Sequence, residues 1–267
     1  MFWAIQGYVF YQKAVKEKPL AQAVEEARSG AQWASLEQVP DLYKKAVLAV
    51  EDHRYYTHHG IDWISMTRAV VHDIRVMKLE QGGSTITQQL VKNMYYDQNK
   101  TLARKAAEAW TALYVERQLS KEEILELYIN TIYFGDGYYG LKEASLGYFG
   151  KEPQELSDSE AVLLAGIPNA PSAYAPSRHA DLALQREKQV LATWNQVRRT
   201  ACCGMRQPIQ FWHDRKKSEE KRMGKLIRLG ATALSMIGIL VMILCVQAAI
   251  LFVRLCIRRK QKKIELK

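Results

Sequence analysis

Between Asp41 and Trp194 the apolar residues recur three and four apart, and the two-residue alternation of a half-buried strand is nearly absent. A chain patterned this way buries its apolar side by stacking helix on helix, so the expected fold class is mainly α. DLYKKAVLAVEDHRYY (41–56) sets Leu42, Ala46, Val47 and Val50 at helical spacing and delivers Glu51 near the C-terminal end of that helix. Residues 61–80 read as helix again, until Gly82 and Gly83 break the pattern. Ser84 or Thr85 followed by Gln88 is a capping signature for a helix over about 85–96. Another helix is expected over 100–120, and Ser120 with Glu123 forms the capping box that opens the next, 120–130. Glycines interleaved with aromatics predict a tight irregular region over 131–150. A short helix (157–168) stopped by Pro168, an extended NAPSAYAPSRHA loop and a helix over 181–194 complete the pattern.

The net charge of +10 suggests nucleic acid until it is located. Residues 214–228 carry seven Lys/Arg against three acids, residues 254–267 carry seven against one, and residues 1–213 balance at 24 of each sign. The basic excess therefore flanks LGATALSMIGILVMILCVQAAILFV (229–253) and forms no binding face, which argues against a nucleic-acid partner. Those uncharged residues would extend about 37 Å as a helix, enough to cross a hydrocarbon core of roughly 30 Å. The heavier basic load on the C-terminal side favours a cytoplasmic tail and an external domain. MFWAIQGYVFY, at the other end, is too short to span a bilayer. It reads as a short helix on the protein or membrane surface, or as part of an anchor. The expected organisation is an N-terminal apolar stub and linker (1–37), a helical domain (38–194), a basic linker (195–228), a transmembrane helix (229–253) and a basic tail (254–267). Cys202, Cys203, Cys245 and Cys256 match neither a metal site nor a disulfide framework.

Gly82-Gly83-Ser84-Thr85 resembles an anion-binding turn at a helix N-terminus, although it lacks the spacing of a phosphate-binding P-loop. Gln88 and Lys92 share a helical face, an arrangement that an exposed polar surface explains equally well. Arg104 and Glu108 stand at the same i, i+4 spacing, which is most often a surface ion pair. His58 and His59 beside Asp62 lack a recognisable third metal ligand, so helix-end hydrogen bonding is the simpler reading. Spacing alone leaves an acid/base enzyme acting on an anion.

The strings EDHRYYTHHGID, GGSTITQQLVKN, RKAAE, EILELYINTIYFGDGYYGLKEAS and LLAGIPNAPSAYAP, in that order, closely resemble the successive motifs of the peptidoglycan glycosyltransferases. This is the family-51 transglycosylase domain of bifunctional penicillin-binding proteins and of monofunctional transglycosylases, and the resemblance covers roughly residues 38–192. It implies a lysozyme-like multi-helix domain at the external face of a bacterial membrane, polymerising lipid II into a nascent glycan chain. By match to the first motif Glu51 is the expected general base for the acceptor's 4-hydroxyl. Asp52, Tyr55 (where Phe is usual) and His58 fall on the same motif and are expected to contact substrate. Thr85, Gln89 and Lys92 are the expected contacts to sugars or phosphates. Arg104 is expected at the pyrophosphate, and Glu108 is the second essential carboxylate. No cofactor is required; a divalent cation, Mg or Mn, at the pyrophosphate is left open. Transpeptidases or a cell-wall synthesis complex are the partners such a domain implies.

After LALQREKQVLATW the resemblance stops. No SxxK followed by SxN and KTG marks a serine transpeptidase, and the span lies C-terminal where the family's anchor is N-terminal. A relocated anchor and a junction that replaced the family's usual end both fit. A catalytically impaired protein that keeps the cleft as a binding or scaffold module is the alternative function. A lysozyme-like hydrolase is disfavoured, because a neutral glycan has no need of Lys92 and Arg104.

Overall fold

The computed structural model describes residues 2–30, 32–76, 83–97 and 101–202. The chain runs through α1 (Phe2–Glu17), α2 (Leu20–Arg28), α3 (Asp41–Glu51), α4 (Trp63–Val76), α5 (Ile86–Tyr95) and α6 (Leu102–Gln118). It continues through α7 (Lys121–Thr131), α8 (Leu141–Phe149), α9 (Asp158–Gly166), the single turn α10 (Pro171–Tyr174) and α11 (Ala180–Cys202). No strand forms among the described residues; the one extended pairing is an isolated antiparallel bridge between Tyr133 and Tyr139. The mainly α expectation holds.

Local chemistry explains most helix starts. Thr85, Ser120 and Ser157 each accept a hydrogen bond from the backbone N–H three residues on. The side chains of Gln88, Glu123 and Glu160 return a bond to the capping residue's own N–H, so each box satisfies two otherwise orphaned donors. The core gathers the apolar faces these helices present, with Tyr43, Tyr55, Ile86, Leu90, Tyr128, Phe134 and Leu164 fully buried. α3 packs on α9 and α11, while α5 packs on α6 and α7. The C-terminal end of α3 and the N-terminal ends of α5 and α6 thereby face one cleft.

Two segments differ from the periodicity reading, while the N-terminal segment takes the form of a helix lying on the protein. It forms α1 and α2, and α1 lies along α6. Gly7 permits that contact, since a Cβ there would stand 2.4 Å from the Cβ of Ala106. Tyr8 packs edge-on against Trp110 with ring centroids 5.3 Å apart. The segment after α2 is clasped by Asn130, which accepts from the Ala34 N–H and donates to its carbonyl, both at 2.8 Å. Pro171 opens a helical turn inside the expected loop, its missing N–H costing nothing at a first helical position. α11 runs eight residues beyond Trp194 to Cys202. The apolar segment 229–253, its basic flanks, and Cys203, Cys245 and Cys256 lie outside the described residues. Among the described residues no helix is long and apolar enough to cross a membrane.

Candidate active site

A cleft of about 660 Å³ opens where α3, α4, α5, α6 and α11 meet. Seven of the nine residues singled out from the sequence line it: Glu51, Asp52, Thr85, Gln89, Lys92, Arg104 and Glu108. Gly83 and Ser84 of the expected anion-binding turn line it too, while Gly82 lies outside the described residues. Tyr55 and His58 do not reach it.

Glu51 is the last residue of α3, and its Oε2 accepts a 2.8 Å hydrogen bond from the Gln89 side chain of α5. Its Oε1 is shielded from solvent and has no hydrogen-bond partner. Burial pushes the Glu51 carboxyl above the ordinary carboxylate range, against the opposing pull of the Gln89 hydrogen bond and the Arg186 charge. A carboxyl of this kind has two consequences for pH. Turnover that requires the ionised form rises with pH through the elevated pKa as a single-proton titration, readable in a kcat/KM profile. Between the unfolded and folded pKa values the folded state holds more protons than the unfolded state. The Glu51 contribution to stability therefore declines as pH rises through that interval, measurable as a change in thermal midpoint.

The three other acids of the cleft are engaged. Asp52 is 7% exposed, and its carboxylate takes both oxygens to His58 Nε2, at 2.8 and 3.0 Å. Its Oδ2 also accepts from the N–H of Ile86, the first residue of α5, at 3.1 Å. A carboxylate there complements the positive end of the helix and locks α5 to the end of α3. Asp62 caps α4 by accepting from the Ile64 and Ser65 N–H groups and the Ser65 hydroxyl, and it lies 3.1 Å from Arg54 Nε. Glu108 is fully buried; its Oε2 accepts from Lys105 Nζ at 2.7 Å, and its Oε1 lies 3.2 Å from Arg104 Nε without hydrogen-bond alignment. The spacing-based reading of Arg104–Glu108 as a surface pair is corrected here: α6 turns this acid inward, where it fixes two cations at once.

Thr85 is 2% exposed, its hydroxyl donating to the Gly60 carbonyl at 2.7 Å while accepting from Gln88 N–H. What Thr85 offers the cleft is the placement of α5. Gly60 serves the same joint. Its φ is +87°, and a Cβ would stand 2.9 Å from the backbone of Ala112, so only glycine brings that carbonyl under Thr85. His58 acts through Asp52. Tyr55 is 1% exposed and donates its hydroxyl to the Lys121 carbonyl at 2.6 Å, while the Lys121 ammonium sits 4.3 Å above its ring. Lys121 in turn donates to Glu116, which accepts from Thr87 of α5. The expectation that Tyr55 and His58 contact substrate gives way to a role behind the cleft wall.

Arg68, Lys105 and Arg186 line the cleft beside Lys92 and Arg104, so five cations face four carboxylates among the described lining residues. Lys105 adjoins Arg104 in RKAAE and was in plain view. Arg186 had no local signal. It reaches the cleft only because α11 packs on α3 and α9, and it is held by the Gly166 carbonyl at 3.2 Å. Among the described residues no three His, Cys, Asp or Glu side chains are arranged so as to hold a metal ion. Asp52 and Glu108 already have partners, so a divalent cation would be held mainly by phosphate oxygens.

Residues 16–195 match the family model described as Transglycosylase. Penicillin-binding protein 1F of Bacillus subtilis (strain 168) is 46% identical over 161 residues, spanning 60% of this chain and 22% of that protein. Penicillin-binding protein 1A of Aquifex aeolicus is 45% identical over 159 residues, again 60% of this chain and 22% of the relative. A Cupriavidus necator protein carrying the transglycosylase name is 40% identical over 178 residues, which is 67% of this chain and 77% of that one. The chain thus spans about a fifth of the penicillin-binding relatives and most of the shorter one. With the family model covering residues 16–195, about two thirds of the chain, and the motif carboxylates gathered in one cleft, this chain belongs to the transglycosylase family, the family-51 peptidoglycan glycosyltransferases.

Proposed function

We propose that the chain polymerises lipid II, transferring the growing glycan from its polyprenyl pyrophosphate to the 4-hydroxyl of an acceptor lipid II with inversion. The observation that carries this reading is the contrast among the four acids of the cleft. Asp52 and Asp62 are hydrogen-bonded at both oxygens and Glu108 is held between two cations, with Lys105 on Oε2 and Arg104 beside Oε1, while Glu51 Oε1 has no hydrogen-bond partner. A general base needs an oxygen free to take a proton, and burial that lifts its carboxyl above the ordinary carboxylate range, as at Glu51, makes it a better proton acceptor.

Glu51 takes the proton of the acceptor hydroxyl as its oxygen bonds to the donor's anomeric carbon. The bond from that carbon to pyrophosphate oxygen breaks, and the electron pair leaves with the pyrophosphate. Arg104, Lys105 and Lys92 meet the charge that grows there, and Glu108 holds two of those cations in place before substrate arrives. Because the cations are already fixed, little reorganisation accompanies bond breaking. The substrate places the domain at the outer face of a bacterial membrane, handing glycan strands to transpeptidases of cell-wall synthesis.

The purified full chain, given labelled lipid II in detergent or vesicles, is expected to produce glycan strands and release polyprenyl pyrophosphate. Lipid II binding without any polymer would replace this reading with that of a binding module. Release of fragments from finished peptidoglycan would replace it with a hydrolase.

A further inference from the structure

The glycine-rich hairpin after α7 and the segment after α9 have no part in the proton transfer, yet one carboxylate ties them together. Asp136 stands at the hairpin tip and is the one non-glycine residue with positive φ among the described residues, +50° between Gly135 and Gly137 at +89°. Aspartate tolerates this left-handed backbone better than most residues and glycine takes it freely, so what distinguishes this side chain is its carboxylate. Its Oδ1 accepts from Arg178 Nε at 2.6 Å. Its Oδ2 accepts from the Ser177 hydroxyl and lies 3.4 Å from the Tyr148 hydroxyl. The Ser177 hydrogen bond first, and Arg178 with it, outweigh desolvation and hold the Asp136 carboxyl below the usual carboxylate range. The clasp is therefore charged at neutral pH.

What the clasp holds is one wall of the cleft. Ser177 and Arg178 end the segment that begins at Pro168 and Asn169, both of which line the cleft with Glu51. Between those ends lies only the single turn α10, too short to fix its own position, so its contacts must place it. The hairpin supplies them: a Cβ on Gly135 would stand 3.0 Å from the Pro171 carbonyl and 3.3 Å from the Ala175 Cβ. Ala175 is fully buried, and the Tyr174 ring lies 5.6 Å from the guanidinium of Arg186, another lining residue. The cations of α5 and α6 are held separately, by Glu108. We propose that Asp136 is a positioning residue for glycan transfer, clasping Ser177 and Arg178 so that Pro168 and Asn169 present a fixed wall to the sugars beside Glu51. This deepens the lipid II reading above and rests on it.

The test is steady-state polymerisation of labelled lipid II by the full chain and its variants. Asp136→Gly deletes the carboxylate and keeps the turn, since glycine accepts the same φ. It is expected to raise KM about fivefold, the scale of one hydrogen bond, with kcat within about twofold of the parent. Asn169→Ala should raise KM by a similar factor. Adding Asp136→Gly to it should then change KM by less than about twofold, because the clasp acts through a wall already impaired. Arg178→Lys, which returns a cation to Asp136, should recover most of the KM lost in Arg178→Ala. A lowered melting midpoint with KM unchanged in Asp136→Gly would reduce the clasp to a structural tie and overturn the proposal. Losses that multiply in the double variant would overturn it as well. Should Asp136→Gly fail to fold, the Arg178 pair decides: a KM equal to the parent's in Arg178→Ala overturns the clasp. Variants that all match an active parent would remove this inference and leave the lipid II reading standing. A parent that makes no polymer removes both.

Discussion

Glu51→Gln is expected to reduce lipid II polymerisation by about a thousandfold while binding of lipid II changes by less than a few-fold. The size follows from what is lost, since positioned general base catalysis contributes about 10²–10⁴-fold. An amide cannot accept the hydroxyl proton, yet it keeps the shape of the side chain and a carbonyl oxygen for the Gln89 Nε2 donor. Binding survives because the cleft's cations are untouched and one negative charge facing the pyrophosphate is gone.

The same substitution separates chemistry from folding. In the parent, a shielded carboxylate oxygen without a partner costs stability whenever the group is ionised. Glu51→Gln should therefore melt at or above the parent temperature at pH 8, with the two midpoints converging as pH falls and the parent's Glu51 becomes protonated. The pH dependence of parent turnover should have no counterpart in the residual rate of the variant. A catalytic group held at a cost to stability predicts this opposition of activity and midpoint. Turnover unchanged from the parent would remove Glu51 from the base role.

How far the sequence discloses this architecture depends on the range of each interaction. Thr85 with Gln88 and Ser120 with Glu123 act across three residues, and both boxes form where the pattern puts them; Ser157 with Glu160 forms a third at the start of the expected short helix. The seven residues that line the cleft come from three short strings, each carried on one helix or its cap. What the pattern could not supply is tertiary. Whether Arg104 and Glu108 form a solvated pair or a buried clamp depends on what covers that face of α6, and nothing in their spacing says so. Tyr55 and His58 stand beside Glu51 in the chain, but the short turn after α3 directs them into the core. There they fasten to Lys121 and Asp52 and no longer face the substrate. Arg186 lies 135 residues after Glu51 and enters the cleft through the docking of α11. A helix on the protein and part of an anchor both fitted the N-terminus, because eleven uncharged residues say nothing of Gly7 meeting Ala106.

Glu108→Gln is expected to give the second large loss, a fall in kcat of about a hundredfold or more with KM unchanged or lowered. Glu108 competes with the substrate's phosphates for Arg104 and Lys105, so removing its charge makes the cleft more positive and should hold ground-state binding. Rate suffers for a different reason. With a neutral amide at that position the two cations lose the fixed counter-charge that sets their pose, and they must reorganise as the pyrophosphate departs. Preorganised charge of this kind is worth roughly 10²–10³-fold per donor removed. Stability should fall too, since truncating one partner of a buried pair costs about 3–5 kcal/mol in a closed site. Here the cost should be nearer 2 kcal/mol, because Lys105 is 47% exposed and can turn its ammonium to water. Arg104→Ala should instead raise KM, because it deletes a phosphate contact outright. The pair of variants therefore divides the clamp into the part that binds and the part that orients. A rise in KM for Glu108→Gln with kcat intact would mean that Glu108 touches the substrate directly and does not act through its two cations.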